Sequence, residues 1–143
     1  SDLGGREIAA LLDSAPLDVR VNALKAARAG LALPEPGEPL VSAQGLRFPS
    51  GTPVEQWEAH AQGLIEVQDL GSQLIVEALP VSPGDTIIDL CAGGGGKTLA
   101  LAARLGNAAS IIAADTDKRR LGNLAPRAAR AGAAVDHTVL LDP

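Results

Sequence analysis

The stretch Asp89-Leu90-Cys91-Ala92-Gly93-Gly94-Gly95-Gly96-Lys97-Thr98 constrains this chain more than any other. Four consecutive glycines would weaken any helix or strand that contained them, so they mark a sharp loop. Before them, Thr86-Ile87-Ile88-Asp89-Leu90 has the β-branched, apolar composition of a buried strand. After them, Lys97 to Leu105 reads as a helix. The unit then repeats. A second strand over Ser110 to Ala114 ends in Asp115, and a helix follows from about Asp117 to Ala131, which Pro126 should kink. A third strand covers Val135 to Leu141. Strands alternating with helices of this length predict a parallel α/β sheet with right-handed crossovers.

The chain upstream follows a different pattern. Arg6 to Leu12 has apolar residues at helical spacing, and Leu17-Asp18-Val19-Arg20-Val21 alternates like a half-buried strand. Leu24 to Leu31 is alanine-rich and predicts a helix, followed by a loop at Pro34, Pro36, Gly37 and Pro39. Residues 40–53 read as extended, and Val54 to Gln62 as a helix with Trp57 as a core or interdomain anchor. Leu64 to Val67 is a short strand. Asp69 then caps a helix through Leu79, with Leu70, Leu74, Ile75 and Leu79 on one face. These patterns predict a small α+β unit over 1–53 and a parallel-sheet domain over 54–143.

Composition narrows the function. With 46% hydrophobic and 20% charged residues, the 143-residue chain is globular, not disordered. No apolar run approaches the ~20 residues of a membrane span, and no signal peptide opens the chain, so a soluble, cytoplasmic protein is expected. Cys91 stands alone, which excludes an internal disulfide and fits a reducing compartment. The chain starts Ser1-Asp2 and has no methionine, so it is expected to be a piece of something longer. Phe48 and Trp57 are the only aromatics, too few to serve as base-stacking platforms. The net charge of −5 gives no broad basic field for nucleic acid. The basic cluster Lys118, Arg119, Arg120, Arg127 and Arg130 reads as a solvated helix face, with RNA contact as the alternative.

Loop spacing selects among the ligands that such a turn can hold. A phosphate-binding P-loop would need glycine where Cys91 stands, and the dinucleotide pattern G-x-G-x-x-G fails at Thr98 and again at Leu99. A strand-end aspartate followed by Gly93-x-Gly95 is instead the pattern of S-adenosylmethionine (SAM) methyltransferases. Asp115, at the end of the next strand, stands where such folds place a carboxylate for the ribose hydroxyls, or it caps the helix that follows. Asp142, at the same sheet edge, could accept from an adenine amino group or serve as a turn residue.

Gly63-Leu64-Ile65-Glu66-Val67-Gln68-Asp69-x-Gly71-Ser72-Gln73 and the Asp89–Thr98 loop together resemble the Sun/Nop-type (RsmB-like) RNA cytosine-5 methyltransferases. Pro16-Leu17-Asp18-Val19-Arg20-Val21-Asn22 resembles the strand opening that family's substrate-side subdomain, and Ser50-Gly51-Thr52-Pro53 the segment leading into its catalytic domain. The commonest family loop, Cys-Ala-Ala-Pro-Gly-Gly-Lys, has Gly93 and Gly94 here at its Ala-Pro positions. The resemblance implies a Rossmann-like SAM-dependent fold, of which this chain holds the first three strands behind a small α+β subdomain. It implies a SAM site on Cys91, Ala92, Gly93, Gly94, Gly95, Gly96 and Lys97, with Asp115 on the ribose and Asp142 at the far end. Lys97 would face both cofactor and target, while Cys91 reads as a packed thiol. It further implies an RNA substrate, ribosomal RNA, reached through the complete protein. The family's nucleophile, a Pro-Cys thiolate that attacks C6 of cytosine, is expected beyond Pro143, leaving no catalytic residue in this chain. No metal or membrane enters that scheme. Two other readings stay open, an NAD-dependent oxidoreductase fragment and a non-catalytic SAM- or nucleotide-binding module.

Overall fold

Alternation and glycine punctuation produce two sheets of opposite kind, seen in a computed structural model that describes residues 4–5 and 15–142. The helix expected over Arg6 to Leu12 lies outside the described residues. The first sheet is antiparallel. Its strands β1 (Leu17–Val21), β2 (Glu38–Pro39), β3 (Gly45–Phe48) and β4 (Ile65–Val67) run in the order β2-β3-β1-β4. The second sheet is parallel, with β5 (Thr86–Asp89), β6 (Ser110–Asp115) and β7 (His137–Leu140) in that order. Five α-helices accompany them among the described residues: α1 (Glu58–Ala61), α2 (Leu70–Ala78), α3 (Gly96–Arg104), α4 (Lys118–Gly122) and α5 (Leu124–Ala131). The parallel sheet with its crossover helices is a partial Rossmann-like α/β fold.

The period-2 alternation of β1 and β4 gives the small sheet two unlike faces. Val19, Val21, Leu46, Phe48 and Ile65 bury one face together with Val54, Trp57 and Ala59. Phe48 and Trp57 meet edge to face with centroids 5.2 Å apart, a geometry worth about 0.5–1.5 kcal/mol beyond the area it buries. Because β4 pairs with β1 (Arg20 opposite Glu66), the sheet closes only at residue 67. The expected division after residue 53 therefore falls inside this core. Residues 54–65 belong with the small sheet because their apolar side chains pack there.

Three further expectations are corrected. Residues 24–31 form turns instead of a helix, since Asn22 caps the segment (Leu24 N–H donates to Asn22 Oδ1 at 3.1 Å). Arg28 then reaches across to the carbonyls of Leu40, Ser42 and Gly45, and these contacts outweigh alanine's helix propensity. On α2 the buried residues are Gln73 and Val76, whereas Leu74 and Ile75 are exposed. The 117–131 helix divides into α4 and α5 at Asn123. Pro126 thereby falls in the first turn of α5, where its missing N–H has no intrahelical partner to lose.

One face of the parallel sheet carries α3 and α5. Ile111 and Ala113 pack there against Leu99, Leu101, Leu124 and Ala128. The alternate residues point the other way, and Ile88, Leu90 and Val139 are exposed. No described helix is long and apolar enough to cross a membrane.

Candidate functional site

The carboxyl ends of the parallel strands meet the glycine loop and the N-terminus of α3. Gly95 is the N-cap residue, at φ 96°, and a Cβ there would run into the buried Leu124 side chain. Only glycine fits both the backbone angle and the space. The first-turn N–H groups of α3 thus open onto the loop without a capping side chain.

Two aspartates hold the loop from the sheet. Asp89 Oδ2 accepts from the Thr98 hydroxyl at 2.6 Å, and Asp89 Oδ1 from the Cys91 N–H at 3.3 Å. The buried Asp115 accepts the Asp117 N–H on Oδ1 at 2.9 Å and the Gly93 N–H on Oδ2 at 2.7 Å. Those two N–H groups, Asp117 first and Gly93 second, hold the Asp115 carboxyl below the usual carboxylate range. A carboxylate has about four lone-pair positions, so Asp115 keeps acceptor capacity after both bonds. Of the two sequence readings, the α4 cap falls to Asp117, whose carboxylate takes the Arg120 N–H.

A cavity lies beside the loop. It is lined by Gln68, Asp69 and Ser72 from the β4–α2 corner, by Cys91, Gly96 and Lys97 from the loop and α3, and by two arginines, Arg120 and Arg127. Ala92 and Gly94 complete the loop side of its wall. Gly93 and Gly95 shape the turn behind it, and Asp115 tethers that turn. Asp142 is exposed two residues beyond β7, at the sheet edge shared with Asp115 but outside this wall. Cys91 is an exposed thiol, not the packed one expected.

The basic cluster differs most from its sequence reading. Lys118 and Arg119 are exposed, but Arg127 Nη1 donates to the Gly94 carbonyl at 2.6 Å, and Arg120 fills the space a side chain at Gly93 would need. Arg130 Nη2 donates to both Glu66 oxygens at 2.8 Å, with Arg127 3.6 Å from the same carboxylate. Arg127 and Arg130 face inward because Glu66, on the polar face of the small sheet, supplies their counter-charge, whereas Arg120 lies against the loop itself. Sequence reasoning quoted Glu66 and Gln68 without giving them roles. The signal was present: Ile65-Glu66-Val67-Gln68 alternates, so both polar residues share the face opposite the apolar core.

A family model for the 16S rRNA methyltransferases RsmB/F matches residues 76–142. A probable ribosomal RNA small subunit methyltransferase B from Synechocystis sp. is 35% identical over 123 residues, covering 81% of this chain and 28% of that protein. A 28S rRNA (cytosine-C(5))-methyltransferase from Mus musculus is 39% identical over 87 residues, covering 61% of this chain and 19% of that protein. The crystal structure of a methyltransferase homolog protein from Pyrococcus horikoshii superposes with a TM-score of 0.74 at 26% identity, over 93% of this chain and 45% of that one. The chain thus spans less than a third of the length of these two sequence relatives. In its glycine loop, aspartate tethers and sheet order, and over residues 76–142 of its sequence, the chain is similar to the RsmB/F-type methyltransferases.

Proposed function

We propose that this chain is the substrate-side subdomain and the cofactor-binding half of a SAM-dependent enzyme that forms 5-methylcytosine in ribosomal RNA. The observation that carries the reading is the open N-terminus of α3 behind a glycine loop tied to the aspartate-ended strands β5 and β6. That arrangement fits the cofactor: the turn admits no Cβ at Gly95, and the donors of α3 face an open cavity. The loop from Cys91 to Lys97 would hold the amino-acid end of SAM, Asp115 the ribose and Asp142 the adenine side. When bound, SAM supplies an electrophilic methyl group. This chain's residues bind and orient it, and Lys97 extends a cation toward the cavity in which the target base would be presented. The nucleophilic thiolate lies outside this chain in the scheme, and Cys91 supports the cofactor loop.

Calorimetric titration tests the reading. S-adenosylhomocysteine should bind the 143-residue chain and NAD should not. Asp115→Ala should weaken S-adenosylhomocysteine more than tenfold, through lost ribose contacts and a released loop. Unchanged affinity in that variant would refute the assignment of Asp115.

A further inference from the structure

Gln68 is the one buried polar group of this cavity that the reading above leaves without a task. It follows β4, is 6% exposed, and lines the cavity beside Asp69 and Lys97. Its amide orientation is dictated by its neighbour. Arg20 Nε donates to Gln68 Oε1 at 2.9 Å, and a guanidinium can only donate, so the oxygen must face Arg20. The other end of the amide, Nε2, then points away from Arg20. A Cβ built on Gly96, in the first turn of α3, would lie 3.8 Å from it. Nε2 is buried and has no acceptor among the described residues. Arg20 is itself buried, on β1 opposite Glu66, so the amide is held from the small sheet.

The rest of the wall defines what such a donor awaits. Lys97, Arg120 and Arg127 bring three cations to the cavity. The single carboxylate in its lining, Asp69, is already engaged, accepting the Ser72 N–H at 2.9 Å and the Ser72 hydroxyl at 2.8 Å. The first-turn N–H groups of α3 add further donors. Donors and three cations outnumber this one carboxylate, and an anionic oxygen is the group that satisfies them.

We propose that Gln68 Nε2 donates a hydrogen bond to the carboxylate at the amino-acid end of the bound cofactor, with Arg20 as the positioning residue that fixes the amide. The proposal rests on the SAM reading and deepens it. Recognition of the cofactor then requires β1 and β4 of the small sheet as well as the parallel sheet. An RNA phosphate would present the same kind of oxygen, and the choice of ligands separates the two sources.

The experiment compares two ligands by calorimetry on the full chain: S-adenosylhomocysteine, and 5′-methylthioadenosine, which keeps the adenosine and thioether but lacks the amino-acid carboxylate. Gln68→Glu preserves an acceptor for Arg20 and replaces Nε2 by an oxygen. It should weaken S-adenosylhomocysteine at least tenfold and leave methylthioadenosine within twofold. Arg20→Lys should lower the ratio of the two affinities in the same direction. Should Gln68→Glu fail to melt cooperatively, the neutral Gln68→Met provides the same comparison. Retained S-adenosylhomocysteine affinity in a folded Gln68 variant overturns the proposal, whether or not RNA binding is lost. Equal weakening of both ligands also overturns it, because that reports general damage to the pocket. Wild-type protein that binds neither ligand fails the SAM reading itself, a result distinct from failure at Gln68.

Discussion

Replacing Gly95 by alanine tests how the loop is built. The substitution carries two penalties that the structure separates. The first is the backbone: φ 96° lies in the region that L-residues avoid, at a cost of about 1–2 kcal/mol. The second is packing. The new Cβ would overlap Leu124 Cδ1, and Leu124 is fully buried between α5 and the sheet, so overpacking adds about 1–3 kcal/mol. Together they remove roughly 2–5 kcal/mol. For a chain of this size each kcal/mol moves the melting temperature by about 3–5 °C, so the variant should melt roughly 6 °C or more below wild type. Gly84→Ala supplies the control, because Gly84 sits at φ 92° with nothing within 4 Å of its would-be Cβ. It bears the backbone penalty alone. Calorimetric melting of both variants, repeated in a Leu124→Ala background, isolates the packing contribution. That background should shrink the gap between Gly95→Ala and Gly84→Ala. Equal losses in the two single variants would refute the claim that Leu124 closes the space behind the loop.

Two other predictions concern charge. Glu66 is 2% exposed and faces Arg127 and Arg130, which are 28% and 27% exposed, so Glu66→Leu leaves two partly screened cations unpaired. Solvent recovers part of the ~3–5 kcal/mol typical of breaking a buried pair, and a loss of about 2–3 kcal/mol is expected as a lower urea midpoint; an unchanged midpoint would show that the pair does not hold the two sheets together. Asp69 and Asp115 both sit below the ordinary carboxylate range, through the Ser72 N–H and hydroxyl in one case and the Asp117 and Gly93 N–H groups in the other. A depressed folded-state value adds stability above the ordinary value and loses it as pH falls through the depressed one, so the midpoint should drop below about pH 4. The Asp69→Asn/Asp115→Asn variant should show a flatter acid limb, and parallel limbs would exclude these two groups as its source.

The parallel sheet was legible because its signals are local. A β-branched run, a glycine turn and a helical segment each follow from nearby residues, and β5, α3 and β6 stand within a residue or two of the sequence reading. The Asp69 cap was legible for the same reason, since its partner Ser72 is three residues away. The helix expected at 24–31 failed where local propensity met distant partners, for the carbonyls that hold Arg28 lie 12 to 17 residues downstream. The domain boundary failed similarly, because only pairing with β1 reveals which sheet β4 joins.

The site divides along the same line. By itself the sequence determined that a glycine loop would follow an aspartate-ended strand and that Asp115 would stand at the next strand's end, because both depend on spacing along the chain. Tertiary structure alone decided that Arg120 and Arg127 turn onto the loop, that Glu66 draws Arg130 inward, and that Arg20 sets the Gln68 amide. Each of those contacts joins segments far apart in sequence, 48 residues for Arg20 and Gln68 and 64 for Glu66 and Arg130. Polar side chains take no fixed direction from their own periodicity. They turn toward whichever charge or carbonyl the fold brings within about 3 Å, and only the packed sheets specify that neighbour.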